Sequence, residues 1–598
     1  MRTTARWYIK FLQWKTQYLT HRQFILLLCG LVGVATGFAA LAMRSLTHFI
    51  EEVLVGNIIR YINYGFYVIF PAVGFLLVYW VKKYIIRKEV SHGIPSILYA
   101  VAKQKGIMKR FQAYGSILTA PITIGFGGSV GLEGPMVVTG AGISSQVARL
   151  FHINQSDRML LLACACAAAL AAIFKVPLAG ILFAIEVFGL DLTLSSLLPL
   201  FVASLSGVLT SYIFFGNAAL LPIYVGDSFL MHNIPFYLLL GVVGGFMSAY
   251  FTFVYEGVNR FFSKFSSAYL RIVIGGAILG LLVFVMPPLY GEGHEVINHL
   301  KAGHPELSIS SNIFGWNLEN PWVVILLLGG LVLFKVVATS VTFGAGGVGG
   351  IFSPMLFMGG VMGNCFARII NQIDILPYKL PLANFTLIGM TALMTGVLHA
   401  PLTAIFLIAE VTGGYSLFVP AMVTAVVSFS IAKCFNKYSI YTMELGRKGE
   451  LVNQDKDQAI LTLMDMESVI ETNFVPVYTD MTLKGVVYEA VRESSRNIFP
   501  VLDREKGSLE GVILLDDIRH LIFEKELYDK VSVLEMMQPP PALIQMGQDT
   551  MNQVMDKFQN TAAWNLPVVK NGKYIGFISK SKLLTVYRRK LIYFSNNK

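Results

Sequence analysis

The sequence has few charged residues and very little cysteine. Only 14% of its 598 residues are Asp, Glu, Lys or Arg, whereas 55% are hydrophobic and the mean hydropathy is +0.61. Soluble globular domains carry about 25% charged residues. This deficit excludes an ordinary soluble protein, and most of the chain must face lipid.

The sequence also lacks the residue patterns of a metal centre or a hydrolytic site. None of its five cysteines has the spacing of a zinc site, and all of them lie in or beside apolar stretches. No nucleophile triad or paired carboxylates occur outside the glycine-rich motifs described below. We therefore predict that the chain is not an enzyme, holds no metal and requires no cofactor.

Long apolar stretches are abundant, and about 20 apolar residues are enough to cross a bilayer as a helix. The clearest stretches are 24–43, 64–81, 161–188, 236–255 and 323–341. They predict an all-α, multi-pass membrane domain.

The positions of the basic residues explain the formal net charge of +11. Five basic residues precede the first apolar stretch, and eight follow the second within 82–110. Basic residues concentrate on the cytoplasmic side of membrane proteins. We therefore expect an integral protein of a bacterial inner (plasma) membrane with a cytoplasmic N-terminus, and we expect no nucleic-acid partner.

The composition changes after Tyr441, where charged residues become frequent and short β-rich and helical patterns alternate. The motif Phe499-Pro500-Val501, followed by Gly511, recurs as 566–568 followed by Gly576, which predicts two copies of one module. We divide the chain into a membrane domain (1–446), a linker (447–460) and two cytoplasmic α/β modules (461–528 and 529–598).

The membrane domain contains an internal repeat. The glycine-rich segment 125–136 aligns without a gap with 344–355, an offset of 219 (344 minus 125), and both segments end in Pro-Met. A second match aligns 177–187 with 401–411 at an offset of 224 (401 minus 177) and pairs Glu186 with Glu410. Matched breaks in two halves of a membrane protein are the best sequence indicator of a transport site.

Clustered glycines followed by proline interrupt a helix and start a new one. Unpaired backbone N–H groups are tolerated at membrane depth only where they line a cavity or meet a partner. Because the start of a helix carries the positive end of its dipole, an anion is the natural partner. The repeat therefore predicts an anion site.

Three motifs, in this order, resemble the signatures of the CLC family of chloride channels and chloride/proton exchangers. They are Ser91-His92-Gly93-Ile94-Pro95, Gly131-Leu132-Glu133-Gly134-Pro135 and Gly350-Ile351-Phe352-Ser353-Pro354. The duplicated tail resembles a tandem pair of cystathionine-β-synthase (CBS) domains.

The resemblance implies an inverted-repeat membrane domain with broken and re-entrant helices, assembled as a homodimer with one anion path in each subunit. In the family, the backbone N–H groups of Ile351 and Phe352 and the hydroxyl of Tyr441 hold a chloride or similar small anion. The turn at His92 and Gly93 contributes to the same site. Glu133 is implied to be the gate, a carboxylate that competes with the anion.

The chain departs from the family's exchangers at Val187, where they carry a second, proton-relaying glutamate. Valine favours a passive anion channel, and a proton-coupled exchanger remains the alternative. Glu186 is either a substitute relay or, like its equivalent Glu410, a structural residue at a helix end. Lys335 either attracts anions towards the path or only snorkels or makes a local hydrogen bond.

Two further departures leave alternatives open. His92 replaces a serine whose hydroxyl contacts the anion in many members, so either its imidazole or only its backbone N–H takes part. In the tail, the family's ribose-binding pattern is broken in both copies. The first copy has the acidic residue, Asp517, but carries Leu514 where the pattern requires a hydroxyl; the second has the hydroxyl of Ser579 but carries Lys582 where the pattern requires an acid. Adenine nucleotide binding, and with it a nucleotide-regulated anion channel, is therefore a third alternative to a purely structural tail.

Overall fold

The computed structural model describes residues 17–59, 65–88, 93–190, 193–216, 229–309, 318–374, 376–447, 461 and 464–596. The chain divides into two compact units, Met1–Gly449 and Glu450–Lys598. Of the expected linker 447–460, only Arg447 lies within the described residues.

The first unit is built from helices. They are α1 (His21–Glu51), α2 (Phe66–Trp80), α3 (Pro95–Lys103), α4 (Gly115–Gly125), α5 (Glu133–Leu150), α6 (Gln155–Phe174), α7 (Pro177–Phe188), α8 (Leu194–Phe215), α9 (Ile234–Ser263), α10 (Ala268–Val285), α11 (His294–Lys301), α12 (Glu306–Ile309), α13 (Pro321–Gly344), α14 (Phe352–Ile373), α15 (Leu382–Leu398), α16 (Pro401–Val411), α17 (Phe418–Phe435) and α18 (Met443–Arg447). Helices α1 and α2 continue as π-helical segments, Glu52–Ile59 and Val81–Ile86. No strand occurs in the described part of this unit, which confirms the all-α prediction.

Eight helical segments in the described residues are long and apolar enough to cross a membrane. The apolar stretch 161–188 is not one span but two helices, α6 and α7, separated where Lys175 adopts a left-handed conformation (φ 60°) before Val176 and Pro177. Helix α7 has 12 residues and α16 has 11. At 1.5 Å per residue, neither reaches across a hydrocarbon core of about 30 Å. Broken helices inside the membrane domain are therefore a feature of this fold.

The internal repeat is visible as reciprocal hydrogen bonds. The N–H of Ser129 donates to Oγ1 of Thr342 (3.1 Å), and the N–H of Val348 donates to Oγ1 of Thr123 (3.0 Å). Donors and acceptors are both related by the offset of 219 found in the sequence. Such an exchange is what a local two-fold axis produces, as in an isologous interface. The helices α4–α8 and α13–α17 thus form two equivalent halves.

Small residues allow the two halves to pack closely around the glycine breaks. All residues of α6 from Leu161 to Phe174 are buried, and seven of them are alanine. Helix α15 is buried from Ala383 to Leu398. These two buried helices are equivalent in the repeat, and each leads directly into one of the short helices α7 and α16.

The second unit contains two small sheets. Its strands and helices are β1 (Ile470–Glu471), β2 (Val477–Tyr478), α19 (Leu483–Gly485), β3 (Ile498–Leu502), β4 (Leu509–Leu514), α20 (Leu515–Ile518), α21 (Val533–Met536), β5 (Ile544–Gln545), α22 (Met551–Thr561), β6 (Asn565–Lys570), β7 (Lys573–Ser579) and α23 (Lys580–Asn596). Their orders are β2-β3-β4 and β1-β7-β6-β5. In each sheet a parallel pair precedes an antiparallel hairpin, and the hairpin register shifts after Val501 in one sheet and after Val568 in the other. The sequence repeat is therefore a repeat of topology and register.

Each sheet has its own apolar core, and each core borrows a segment from the other half of the tail. Val533 and Met536 pack with β2–β4, whereas Met464 and Val469 pack with β5–β7. Phe474 lies 4.6 Å from Phe577 between ring centroids, in a smaller cluster that joins the two sheets. The two copies therefore pack together as one compact unit.

Candidate anion-conduction site

The two glycine-rich breaks meet each other through their backbones. The N–H of Gly131 donates to the carbonyl of Gly350 (2.9 Å), and the N–H of Gly350 donates to the carbonyl of Gly131 (2.7 Å). These residues are equivalent in the repeat and run antiparallel. Helices α5 and α14 begin two residues after each glycine, so the bridge fixes the two helix N-termini side by side.

Helix α14 presents free backbone donors at this meeting point. It begins at Phe352, with Ile351 as its N-cap residue. Within the described residues, the N–H groups of Ile351 and Phe352 have no hydrogen-bond acceptor in the protein. With 22 residues, α14 carries a full dipole, so its start is an electropositive anion site without any cationic side chain.

The carboxylate of Glu133 lies at the start of α14, although Glu133 itself opens α5. It is 1% exposed, accepts a hydrogen bond from the hydroxyl of Ser353 and faces the backbone N–H of Ser353. Its Oε2 atom is buried and has no hydrogen-bond partner in the described residues. The carboxylate therefore sits beside the donors that would hold an anion.

Gly131 leaves the space for this carboxylate. A Cβ atom at position 131 would lie 2.1 Å from Oε2 of Glu133 and 2.8 Å from Oγ of Ser353. No side chain fits at this distance, so glycine is required while Glu133 occupies the site.

Aromatic side chains line the other sides of the site. Tyr441 is buried and interacts electrostatically with Glu133. The ring of Phe352 lies 5.4 Å from that of Phe174 and 6.3 Å from that of Phe183, measured between centroids. These rings exclude water from the start of α14, which strengthens electrostatic interactions there.

Sequence reasoning missed Glu292 and His294, which lie against the gate. Oε1 of Glu292 accepts the N–H of Leu132 (2.7 Å), and its Oε2 lies 3.6 Å from Nε2 of His294. The same Nε2 lies 3.1 Å from Oγ of Ser353, which bonds Glu133. The available signal was the segment Gly291-Glu292-Gly293-His294, in which two ionisable residues alternate with glycines, because ionisable residues in a membrane domain are costly unless functional.

Lys335 supports the loop that carries Glu292. It is completely buried in α13; its Nζ donates to the carbonyls of Gly291 (3.0 Å) and Leu289 (3.5 Å) and lies 4.6 Å above the ring of Phe357. Local hydrogen bonding, one of the alternatives for this residue, thus describes its contacts.

Glu186 and Val187 lie near the end of α7, both half-buried. The carboxylate of Glu186 accepts the N–H groups of Leu402 (2.9 Å) and Thr403 (2.8 Å) at the start of α16. These bonds occupy both of its oxygens. Val187 offers no proton-exchanging group beside it.

The first of the three family motifs, Ser91–Pro95, is only partly described. Gly93 adopts φ 67°, and its carbonyl accepts the hydroxyl of Ser96 (2.8 Å) just before α3. Ser91 and His92 lie outside the described residues. The hypothesis that the imidazole of His92 contacts the anion stays a prediction.

In the tail, the two residues considered for nucleotide binding have partners within the protein. Asp517 accepts the side-chain amide of Gln538 (3.1 Å). The hydroxyl of Ser579 donates to the carboxylate of Glu471, which also pairs with Arg496. Both side chains are thus engaged in bonds within the module.

Comparisons with known proteins agree with this architecture. Residues 533–589 match the CBS domain family, and the H(+)/Cl(-) exchange transporter ClcA of Salmonella arizonae is 27% identical over 449 residues, which cover 73% of this chain and 90% of that protein. A slow cyanobacterial Cl-/H+ antiporter (TM-score 0.60, 22% identity, 72% of this chain and 98% of that one) and a eukaryotic CLC transporter (TM-score 0.59, 19% identity, 93% and 97%) share the fold. The family of voltage gated chloride channels matches residues 73–433, more than half of the sequence, and the chain belongs to this family, with a CBS domain at its C-terminal end.

Proposed function

We propose that this protein conducts chloride across the membrane and that Glu133 gates the path. One observation carries the proposal: the carboxylate of Glu133 is bound to Ser353 at the start of α14, beside the free N–H groups of Ile351 and Phe352. A carboxylate and a chloride ion compete for such a site because both are single negative charges attracted to the same dipole. Protonation neutralises the carboxylate, releases it and leaves the donors to the anion.

The remaining groups suit transport better than tight binding. Neutral N–H donors and the hydroxyl of Tyr441 replace part of the hydration shell of chloride without adding a fixed positive charge. Conduction requires binding that is favourable enough for entry and weak enough for release. The proposed assembly is a homodimer with one such path in each subunit, and its amino terminus and tail face the cytoplasm.

We favour passive conduction over exchange. Val187 stands where a proton-relaying glutamate would be needed, and the oxygens of Glu186 are occupied by the backbone of Leu402 and Thr403. Neither Val187 nor Glu186 therefore provides a group that passes protons from the cytoplasmic side to Glu133.

Proton-coupled chloride exchange is the second candidate function. The relatives and structural neighbours include proteins named as H(+)/Cl(-) exchange transporters and as Cl-/H+ or fluoride/proton antiporters. A buried Glu133 that binds a proton and competes with chloride is compatible with either mechanism.

Purified protein in lipid vesicles distinguishes the two mechanisms. For a channel, we expect a reversal potential at the Nernst value for chloride and no proton movement driven by a chloride gradient. A shifted reversal potential together with uphill proton movement would establish exchange. Glu133→Gln, measured in parallel, should conduct without the dependence on external pH; a variant that still responds to acid like the wild type would refute the gate.

A further inference from the structure

A chain of polar side chains leads away from the gate toward the surface of the membrane domain. It runs from Glu133 through the hydroxyl of Ser353 to Nε2 of His294 (3.1 Å) and on to Oε2 of Glu292 (3.6 Å). One oxygen or nitrogen from each of Glu133, Glu292 and His294 lies within 4.8 Å of the others. Ser353 is completely buried, so the chain excludes water at its inner end.

The exposed fraction of the side chains increases along this series from Glu133 to Glu292. Glu133 is 1% exposed, the side chain of His294 is 8% exposed and that of Glu292 is 12% exposed. Glu292 is thus the most exposed member of the series, whereas Glu133 is almost completely buried. A proton that reaches Glu133 from this side has to pass through a group that Glu133 already contacts.

We propose that Glu292 is the proton entry residue of the gate, and that His294 and Ser353 carry the proton from it to Glu133. The inference rests on the proposed function, because it supplies the proton that opens a Glu133-gated path. Glu292 acts through other residues and does not touch the transported anion.

The transfer needs no reagent other than the proton. A protonated Glu292 gives its proton to Nε2 of a neutral His294 that carries its own hydrogen on Nδ1. The imidazolium N–H then donates to Oγ of Ser353 while the Ser353 hydroxyl proton passes to the carboxylate of Glu133. The products are a Glu292 carboxylate, a neutral His294, an intact serine hydroxyl and a neutral Glu133 free to leave the start of α14.

Several charged groups from other elements face this series of polar side chains. Arg44 and Glu51 of α1 interact with Glu292, and Lys335 of α13 interacts with both Glu292 and His294. On α11, Lys301 interacts with His294, and Glu295 interacts with Glu51. The cluster therefore mixes both signs, which allows Glu292 to change charge without leaving a large uncompensated field.

The position of the cluster fits entry from outside the cell. Glu51 ends α1, whose 31 residues span about 46 Å at 1.5 Å per residue. With the amino terminus on the cytoplasmic side, as the basic N-terminal segment predicts, the end of α1 and the loop of Glu292 lie toward the outer face.

The test is the response of anion current to a rapid drop in external pH, with protein in a planar bilayer. The informative variant is Glu292→Gln, because the glutamine oxygen can still accept the N–H of Leu132 while the amide cannot take up and release a proton. We expect current activation to slow by about 100-fold, the lower end of what a positioned proton donor contributes. His294→Gln should slow it similarly, whereas Glu52→Gln, an exposed carboxylate that lies 3.8 Å from Nδ1 of His48 and outside this series, should activate like the wild type.

The background of Glu133→Gln separates a relay from a structural role. If Glu292 only feeds the gate, Glu133→Gln/Glu292→Gln conducts as well as Glu133→Gln alone; a large further loss of current would mean that Glu292 holds the fold, and would overturn the proposal. Unchanged activation kinetics in Glu292→Gln, or a shifted pH midpoint with unchanged kinetics, would also overturn it. If Glu133→Gln itself keeps the wild-type acid response, the failure lies in the proposed gate.

Discussion

Glu186 and Glu410 exchange helix caps between the two halves of the membrane domain. Glu186, near the end of α7, accepts the N–H groups of Leu402 and Thr403 at the start of α16; Glu410, near the end of α16, accepts those of Leu178 (3.0 Å) and Ala179 (2.8 Å) at the start of α7. Carboxylates near a helix start are stabilised by its dipole, and their hydrogen bonds to N–H groups are charge-assisted. Each of the short helices α7 and α16 is therefore capped at its start by a glutamate from the other.

Removing either cap should destabilise the membrane domain. In Glu410→Ala, the N–H groups of Leu178 and Ala179 lose their acceptor; a fully buried group would lose about 1–3 kcal/mol, and these bonds are part-buried. We expect a lower midpoint of thermal unfolding in detergent, with a smaller decrease for Glu410→Gln, which keeps one acceptor oxygen.

The same pair tests the role of Glu186 in proton movement. Glu186→Gln and Glu410→Gln should lower the unfolding midpoint similarly and leave the reversal potential unchanged. A change of proton movement in Glu186→Gln alone would contradict the structural role and identify Glu186 as a substitute relay.

Gly131→Ala should displace the gate. The added methyl would lie 2.1 Å from Oε2 of Glu133, so the carboxylate has to leave Ser353. We expect an anion current with little dependence on external pH, as in Glu133→Gln. Gly329→Ala is the matched control, because a Cβ atom there has nothing within 4 Å, and it should behave like the wild type. A wild-type acid response in Gly131→Ala would show that the carboxylate does not rest at this position.

Lys335→Met should lower thermal stability and disturb the loop of Glu292. The substitution leaves the carbonyl of Gly291 without its buried donor, at a cost of about 1–3 kcal/mol. Lys433→Met is the control, since this exposed lysine also lies over a ring, Phe429 at 4.9 Å. Equal unfolding midpoints for the two variants would contradict the supporting role of Lys335.

The tail should not bind adenine nucleotides. A ribose would have to displace the carboxylate of Glu471 from the hydroxyl of Ser579, and Glu471 is also held by Arg496. Equilibrium binding of ATP and AMP to the full-length protein in detergent should show no saturable signal at millimolar nucleotide. Saturable binding that Asp517→Ala abolishes would restore the nucleotide-regulated alternative.

Much of the fold could be predicted because the evidence for it is periodic or repeated. Apolar length indicated the spans, and the offset of 219 paired the glycine breaks whose backbones do meet at Gly131 and Gly350. The repeat in the tail likewise predicted two copies of one module, and the tail contains two sheets with the same pairing pattern. The single apolar stretch 161–188 was misleading, because the apolar residues on both sides of Lys175 and Pro177 hide the break between two helices.

The sequence by itself determined the membrane domain, its two halves and Glu133 at the start of a helix, because composition, helix length and proline position are local properties of the chain. Only the tertiary structure decided which groups touch that carboxylate. Ser353 is separated from Glu133 by 220 positions and His294 from Ser353 by 59. Contacts over such separations depend on how whole helices pack, and no local pattern records them.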